Sequence, residues 1–323
     1  MMILGGKMKV LTIGEPLVVF ASMDLDKSLS QAQHFTKYIA GAELNVAIGL
    51  SRLGHEVSYI SQVGKDFIGE YIINEVKEFG IDNKYINVDK RYRTGFYFKE
   101  YVSNNDPGIE YYRKNSAASK YDISLLDKID FSKIDLIHLT GIFAGISKEA
   151  EKIANKLTDI AKEKNILLSF DPNLRESLWE SEEYMLKTIN SLSLKASILL
   201  PGLKEARKLT GLNKVEEIFE YYFKNSDTLK IVIIKDGSKT VYVKERGKAI
   251  EKFETYKVKN VIDTVGAGDG FAVGIISGII ENLDIHSCVK RACAIGAMAV
   301  QVHGDNEGYP NKKQLENFIV EHK

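Results

Sequence analysis

The chain has 323 residues, of which 44% are hydrophobic and 27% are charged, a composition typical of a globular protein with ample material for a core. Lysine plus arginine and aspartate plus glutamate each total 44, so the formal net charge is zero. This balance provides no overall attraction to nucleic acid or to an anionic membrane, and we expect neither as a partner.

Hydropathy and cysteine usage both favour a cytoplasmic protein. No apolar run reaches the length that spans a membrane, and the opening Met1 to Lys7 is too short for a signal peptide. We interpret these seven residues as an upstream extension, with Met8 as an alternative start. Cys288 and Cys293 lie five residues apart in a predicted helix, a spacing that fits neither a metal pair nor a redox pair. We therefore expect buried thiols there.

The first third of the chain alternates between predicted strands and helices. Residues 9–13 and 57–63 are apolar and read as buried strands, and residues 46–54 form an amphipathic helix closed by glycine. Gly41 and Asn45 precede that helix. A purely structural role would explain both, with Gly41 as a turn glycine and Asn45 as a cap of the first helical turn. Strands separated by a helix of this length indicate βαβ units and a parallel sheet.

Residues 91–113 depart from this rhythm. Residues 94–101 alternate aromatic with other side chains, a turn containing Asn104 to Gly108 follows, and residues 109–113 return as the second strand of a hairpin. Residues 17–22 and 34–39 also read as extended pieces. These extended pieces and the hairpin together predict a small separate sheet that covers a site as a lid.

Tyr111 and Arg113 lie two residues apart on the second hairpin strand, so their side chains share one face. A guanidinium forms two parallel hydrogen bonds with a carboxylate, and a neighbouring phenol can pack or hydrogen-bond beside it. The pair is therefore a candidate site for a substrate carboxylate. Packing alone is the alternative reason for aromatic residues on a hairpin.

The middle of the chain continues the α/β pattern. Residues 134–139 and 166–170 read as strands, and Asp171, Asn173 and Arg175 follow the second of them. Because ligands of open α/β sheets gather at the carboxyl ends of strands, topology alone makes these three polar residues site candidates. A solvated loop at the end of a strand is the alternative.

A glycine-rich stretch at residues 263–271 is the central feature of the sequence. Residues 256–262 read as an extended segment before it, and residues 271–283 as a buried helix after it. Gly266 and Gly268 would thus lie at a helix N-terminus, where unpaired N–H groups and the helix dipole favour phosphate. Asp269 would repel that phosphate unless a metal ion or a proton transfer accounts for it.

This stretch is neither a G-x-G-x-x-G motif nor a Walker P-loop. It resembles the D-T-x-G-A-G-D-x-F signature of the ribokinase-like (PfkB) family of carbohydrate kinases, and residues 263–271 meet every fixed position. Residues 63–69 match a second family motif, V-G-x-D-x-x-G. Within the family, T-G-x-Y-x-x-E at residues 94–100 and Y-Y-R-K-x-S-A at residues 111–117 most resemble the 2-keto-3-deoxygluconate kinases.

The resemblance covers the chain from about Met8 and implies a fold. It implies a doubly wound α/β fold, with a mostly parallel sheet, helices on both faces and a small β-sheet lid. The lid would comprise residues 17–39 and 91–113. The nucleotide- and substrate-binding core would comprise residues 1–16, 40–90 and 114–323.

The resemblance also implies a set of site residues. Asp269 would be the catalytic base, and Gly266, Ala267 and Gly268 would form an anion hole for the transferred phosphoryl group. Substrate would contact Gly41, Asn45, Tyr97, Tyr111, Arg113, Arg175, Asp269 and Asp305. Nucleotide would contact Asn173, Arg175, Lys235, Gly237, Ser238, Thr240 and the anion-hole residues. Glu205 would act on Mg²⁺ indirectly, through water. Two positions depart from the family pattern, Ala42 for a glycine and Gly202 for an asparagine.

The implied reaction is phosphorylation of 2-keto-3-deoxygluconate at its terminal hydroxyl, with ATP and Mg²⁺. One alternative is a kinase of this family that acts on a neutral sugar such as fructose or ribose, in which Arg113 would be a structural ion-pair partner. A more distant alternative is a non-catalytic nucleotide- or sugar-binding regulator. Because an exposed β lid readily pairs with its twin, we also expect a homo-oligomer, at least a dimer.

Overall fold

The computed structural model describes residues 8–103 and 107–322, which contain two β-sheets and ten α-helices. The strands are β1 (Lys9–Ile13), β2 (Leu17–Leu25), β3 (Phe35–Ala40), β4 (Glu56–Gly64), β5 (Ile86–Asp89), β6 (Phe96–Tyr101), β7 (Ile109–Tyr112), β8 (Leu136–Thr140), β9 (Leu167–Asp171), β10 (Ile198–Leu199), β11 (Ile231–Asp236), β12 (Thr240–Glu245) and β13 (Glu251–Glu254). The helices are α1 (Ala42–Arg52), α2 (Phe67–Glu78), α3 (Gly141–Gly145), α4 (Lys148–Lys164), α5 (Glu182–Lys195), α6 (Leu203–Thr210), α7 (Val215–Asn225), α8 (Ala267–Ile280), α9 (Ile285–Ala299) and α10 (Lys312–Glu321).

The large sheet has nine strands in the order β13-β12-β11-β10-β9-β8-β1-β4-β5. Its strands from β11 to β5 pair in parallel, and β12 and β13 add an antiparallel edge. The central parallel strands are buried on both faces, as the fully buried run Leu136–Thr140 illustrates. The predicted α/β fold with a mostly parallel sheet is confirmed.

Helices cover both faces of this sheet and enclose two hydrophobic cores. One core joins the sheet to α1, α2, α8, α9 and α10, and the other joins it to the helices from α3 to α7. Sequence sets the helix ends locally. Ser147 caps α4 by accepting a hydrogen bond from the Ala150 N–H, and Asn165 ends that helix in the left-handed conformation.

The small sheet has four strands in the order β3-β2-β6-β7. Strand β2 pairs with β6 in parallel, and the other two pairs are antiparallel. One face of this sheet buries Leu17, Val19, Ala40 and Tyr97 together. The predicted small sheet, built from two separate segments of the chain, is confirmed. The boundaries of a lid domain stay a prediction.

Residues 256–262, expected to be extended before the glycine-rich stretch, belong to no strand, because the last strand ends at Glu254. Val261 and Ile262 are exposed by 59% and 48%, and the Ile262 N–H bonds to the Val300 carbonyl rather than to a strand. The predicted extension at residues 1–7 and most of the predicted turn, residues 104–106, lie outside the described residues.

The structure also bears on the predictions about membrane-spanning helices and about the two cysteines. In the residues from 8 to 322 that the structure describes, no helix has the length and apolar character needed to cross a membrane. Cys288 and Cys293 are free and buried, as predicted, and burial raises the pKa of each thiol, to about 11 and about 12.

Candidate active site

The carboxyl ends of the central strands open into a cavity of about 990 Å³. The strand order reverses between β1 and β8, because the chain proceeds from β1 to β4 and β5 on one side and from β8 to β11 on the other. Ligands of open α/β sheets bind at such a switch point. Tyr97 and Tyr111 of the small sheet also line the cavity, so both sheets contribute to its wall.

The glycine-rich stretch forms the turn that leads into α8. Gly266 is the N-cap residue with a φ of 78°, and a Cβ there would collide with the Asp305 carbonyl, so the position requires glycine. The Tyr309 hydroxyl donates to the Gly266 carbonyl at 2.6 Å. Gly266 and Gly268 both line the cavity. The N-terminus of α8 therefore offers backbone N–H groups and its positive dipole end to an anion.

Asp269 lies in the first turn of α8 and is only 9% exposed. The Asn45 amide donates to its Oδ2 at 2.9 Å. Burial raises the pKa of Asp269 to about 8, the Asn45 hydrogen bond opposes this rise, and the nearby carboxylates of Asp171, Asp305 and Glu43 add to it. In the ligand-free protein this carboxyl group loses its proton as the pH rises through about 8, and its ionised form can accept a proton during catalysis.

A second group of side chains lines the cavity near the small sheet. The Tyr97 hydroxyl donates to the Asp305 carboxylate, at 3.2 Å from Oδ2 and 3.3 Å from Oδ1. The rings of Tyr97 and Tyr111 lie 5.0 Å apart. Burial raises the pKa of Asp305 to about 6, and the Lys99 ammonium opposes that rise. The hydroxyls and the carboxylate form a polar surface suited to sugar hydroxyls.

Arg113 follows β7 and pairs with Glu15, which follows β1. The guanidinium Nε donates to Glu15 Oε2 at 2.7 Å, and a terminal nitrogen contacts the same oxygen. The side chains are 14% and 1% exposed. Because Glu15 uses only some of the five guanidinium donors, Arg113 keeps N–H groups for a ligand in the cavity.

Charged residues at the ends of β9 and β11 line another part of the cavity. The Lys235 ammonium donates to Asp171 Oδ2 at 2.6 Å. Glu205, in the first turn of α6, accepts the backbone N–H groups of Leu174 and Gly202 at 2.7 Å each. Burial raises the pKa of Glu205, the neighbouring Asp171 raises it further, and Lys235 opposes the rise. This cluster combines fixed carboxylates with a cation suited to phosphate oxygens.

Within the two described segments, no group of three or more His, Cys, Asp and Glu side chains is arranged to hold a metal ion by itself. Mg²⁺ does not need such a cage, because it usually binds to one or two carboxylates, to water and to substrate phosphates. Asp171 and Glu205 both line the cavity and lie close enough to affect each other's charge. Their oxygen chemistry fits a magnesium ion that arrives with a nucleotide.

Comparison with known proteins assigns the chain to a family. The sequence profile of the pfkB family carbohydrate kinases matches residues 7–312. The chain belongs to this family. The 2-dehydro-3-deoxygluconokinase of Bacillus subtilis (strain 168) is 38% identical over 314 residues, which cover 97% of this chain and 96% of that protein.

Solved structures of relatives agree with this family assignment. A PfkB protein from Polaromonas sp. JS666 shares 36% sequence identity and a TM-score of 0.87, over 96% of this chain and 99% of that chain. A putative ribokinase II from E. coli, in complex with ATP and Mg²⁺, shares 26% identity and a TM-score of 0.90, over 98% of this chain and 100% of that chain. The predicted family and ribokinase-like fold are confirmed, and the protein is a carbohydrate kinase.

The structure brings most of the predicted site residues of this kinase together. Those that line the cavity are Gly41, Asn45, Tyr97, Tyr111, Arg113, Asn173, Arg175, Glu205, Lys235, Gly266, Gly268, Asp269 and Asp305. Four predicted residues do not line it. Ala267 bonds through its N–H to the Thr264 carbonyl at 3.4 Å, while Gly237, Ser238 and Thr240 lie at the turn between β11 and β12. The roles of all these residues stay predictions.

Sequence reasoning missed several residues that the fold places in the cavity wall or behind it. Glu15, directly after β1, is buried beside Arg113. Lys99 forms a buried ion pair with Asp263, at the start of the glycine-rich stretch. Asn306 is 1% exposed and contacts Asn45. A carboxylate directly after the first strand was a usable signal for Glu15, whereas the partners of Lys99 and Asn306 lie more than 160 and 260 residues away in sequence.

Proposed function

We propose that this kinase transfers the γ-phosphoryl group of ATP to the terminal hydroxyl of 2-keto-3-deoxygluconate, giving the 6-phosphate and ADP. The observation that carries the proposal is that a helix N-terminus suited to anions, at Gly266 and Gly268, and the guanidinium of Arg113 line one cavity. Asp269, the proposed base, lines the same cavity. The Bacillus subtilis relative, whose name denotes the same reaction, supports this substrate.

The proposed mechanism assigns the proton to Asp269. Phosphoryl transfer passes through a loose transition state, so positioning and charge stabilisation outweigh covalent catalysis. Asp269 orients the acceptor hydroxyl and takes its proton as the new P–O bond forms, an effect typically worth roughly 10²–10⁴-fold. The backbone N–H groups that follow Ala267 at the start of α8 stabilise charge that develops on the transferred group, whereas the Ala267 N–H itself bonds to the Thr264 carbonyl. Lys235 and Arg175 attract the phosphate oxygens of the nucleotide.

Mg²⁺ belongs to this proposal together with ATP. Asp171 and Glu205 would hold the ion, with Glu205 acting through water, and the ion would supply charge neutralisation between the nucleotide phosphates. The chain's own residues account for the remaining steps. Asn173, at a φ of 38°, and the turn containing Gly237, Ser238 and Thr240 would bind the rest of the nucleotide.

On the sugar side, we assign the substrate carboxylate to Arg113. A bidentate guanidinium–carboxylate pair is both strong and geometrically selective. Tyr97, Tyr111 and Asp305 would contact the keto sugar and its hydroxyls. Gly41 and Asn45 line the same cavity and would approach the sugar from the start of α1.

The small sheet would act as a lid that excludes water during transfer. In this proposal the lid comprises residues 17–39 and 91–113, and the rest of the chain is the core.

Phe96 and Phe98 pack with Tyr112 on the face of the sheet away from Tyr97, and Tyr112 is 49% exposed. This half-exposed aromatic face favours association with a second copy of the chain, so we propose a homo-oligomer, at least a dimer. We also propose that the kinase works in the cytoplasm, where ATP is available.

A kinase for a neutral sugar remains the second candidate, because one observation favours it. Arg113 is already ion-paired with Glu15, as expected if the arginine had only a structural role. The two candidates predict different effects of removing the guanidinium. With a sugar acid as substrate, removal weakens sugar binding; with a neutral sugar it changes stability more than substrate choice.

The test is ADP release from ATP with 2-keto-3-deoxygluconate, fructose and ribose. Wild type is compared with Asp269→Asn, Arg113→Ala and the control Arg91→Ala, which removes an exposed arginine paired with Asp89. We expect the sugar acid to be the best substrate, Asp269→Asn to abolish turnover, and only Arg113→Ala to raise the KM for the acid. Faster turnover of fructose or ribose would favour the second candidate. ATP binding without turnover of any sugar would instead indicate a regulator.

A further inference from the structure

We propose that Asn306 is a positioning residue for Asp269 and acts through the side-chain amide of Asn45. Asn306 lies in the loop between α9 and α10 and is 1% exposed. It does not line the cavity, so any effect on catalysis must pass through another residue. The inference rests on the proposed function, since it requires Asp269 to be the base.

Three hydrogen bonds define this connection. Asn306 Nδ2 donates to Asn45 Oδ1 at 3.0 Å and to the Ile39 carbonyl at 3.1 Å. Asn45 Nδ2 in turn donates to Asp269 Oδ2 at 2.9 Å. A primary amide has one acceptor oxygen and one donor nitrogen. Because the donor on Asn306 engages the Asn45 oxygen, the Asn45 nitrogen must face the carboxylate.

The backbone of Asn306 is held independently of its amide. An Arg52 guanidinium nitrogen donates to the Asn306 carbonyl at 2.5 Å and to the Tyr309 carbonyl at 3.1 Å. Ile39, the other partner of the amide, belongs to β3 of the small sheet. Asn306 thus links three parts of the protein: the anchored loop, the small sheet and the first turn of α1, which carries Asn45.

Loss of the Asn306 amide would leave Asn45 free to turn its oxygen toward Asp269. Two oxygens would then face each other, and the carboxylate would lose the donor that stabilises its ionised form. The carboxylates of Asp171, Asp305 and Glu43 also act on Asp269 and already favour its protonated form. The base would consequently be both less well oriented and harder to ionise.

The experiment compares wild type with Asn306→Leu, which keeps the approximate side-chain volume, and with Asn45→Ala and the double variant. Arg52→Met is the control, because it removes bonds to the loop backbone and leaves the Asn306 amide in place. Asn306→Ser is the second variant if Asn306→Leu does not fold. For each protein we would measure thermal unfolding, kcat, the KM for each substrate and the pH dependence of kcat/KM.

We expect Asn306→Leu to lower kcat by roughly 10- to 100-fold, as misplacement of a catalytic group does, with the KM for ATP within about twofold of wild type. The rising limb of kcat/KM should move to higher pH, and the double variant should be no slower than Asn45→Ala alone. Arg52→Met should lower the unfolding temperature and leave kcat and the pH profile close to wild type.

Two results would overturn the inference: a wild-type kcat and pH profile in Asn306→Leu, or losses in the double variant that multiply. A similar kcat loss in Arg52→Met would also overturn it, since loop anchoring would then explain the effect. Failure of the proposed function has a different signature. In that case Asp269→Asn retains turnover, whatever Asn306→Leu does.

Discussion

Arg113 and Glu15 connect the two sheets through a largely buried ion pair, with Nε of the arginine 2.7 Å from Oε2 of the glutamate. The arginine follows a strand of the small sheet, and the glutamate follows the first strand of the large sheet. Glu15 Oε1 is buried and has no hydrogen-bond partner among the described residues. The carboxylate is therefore held against the guanidinium at one oxygen only.

We expect Glu15→Ala to raise the KM for the sugar acid by about 10-fold, equivalent to roughly 1.4 kcal/mol, because the guanidinium loses the partner that orients it. The KM for ATP should not change, because β1, which precedes Glu15, and β11, which carries Lys235, are separated by three strands of the large sheet. Glu15→Gln, which keeps a hydrogen-bond acceptor, should have a smaller effect. Steady-state kinetics with each substrate varied in turn measures this, and an unchanged sugar KM in Glu15→Ala would refute the role.

Asp269→Asn should make the protein more stable at neutral and alkaline pH. The folded state raises the pKa of Asp269 from 3.8 to about 8, so the native protein holds a proton that the unfolded chain releases above about pH 4. Ionisation of this group therefore costs stability progressively as pH rises from about 4 to about 8. Asparagine carries no such cost and can still accept the hydrogen bond from Asn45.

Urea unfolding at pH 4 and at pH 8 measures this difference. The gain in the free energy of unfolding should be near zero at pH 4 and about 2 kcal/mol or more at pH 8, in the ligand-free enzyme. Asp284→Asn is a matched control, because that exposed cap carboxylate has a lowered pKa. A gain for Asp269→Asn that is equal at both pH values would contradict the assigned pKa.

The ion pair between Lys99 and Asp263 should make the two residues energetically coupled. Replacing both should therefore lower the free energy of unfolding by less than the sum of the two single replacements. The ammonium on β6 meets the carboxylate at the start of the glycine-rich stretch, and both side chains are less than 10% exposed. Removal of one partner leaves a buried charge unpaired, which costs about 3–5 kcal/mol. Asp263→Asn would retain the bond that Oδ1 accepts from the Val265 N–H at 3.1 Å.

The measurement is a double-mutant cycle in urea with Lys99→Met, Asp263→Asn and the double variant. We expect Lys99→Met to be the least stable of the three and the double variant to recover much of the loss. Lys84→Met, which breaks an exposed pair with Asp82, should lie within about 1 kcal/mol of wild type. Strictly additive losses would show that the two charges do not interact.

Gly266 and Gly268 should respond differently to alanine. Gly266 has a positive φ and no room for a Cβ, so Gly266→Ala should lower the unfolding temperature as well as kcat. A Cβ at Gly268 meets no atom within 4 Å, so Gly268→Ala should fold with wild-type stability. Its kcat should still fall, because the methyl group would occupy the approach of the phosphoryl group. Equal stability of the two variants would contradict the strained geometry.

The sequence by itself determined the family, the fold class and most of the candidate site. Nine residues at 263–271 meet every fixed position of one signature, and strong hydrophobic periodicity identifies the strands and helices around it. Such local patterns are visible because the spacing of buried side chains follows the geometry of each element. The same patterns do not show whether residues 256–262 join a sheet, since three apolar residues look extended whether or not a neighbouring strand exists.

Only the tertiary structure decided which side chains meet. Glu15 reached Arg113, Lys99 reached Asp263 and Asn306 reached Asn45 across 98, 164 and 261 residues of sequence. No local periodicity encodes such contacts, because they depend on strand order and on how the small sheet lies against the large one. The raised pKa of Asp269 has the same origin, since burial and three distant carboxylates produce it together.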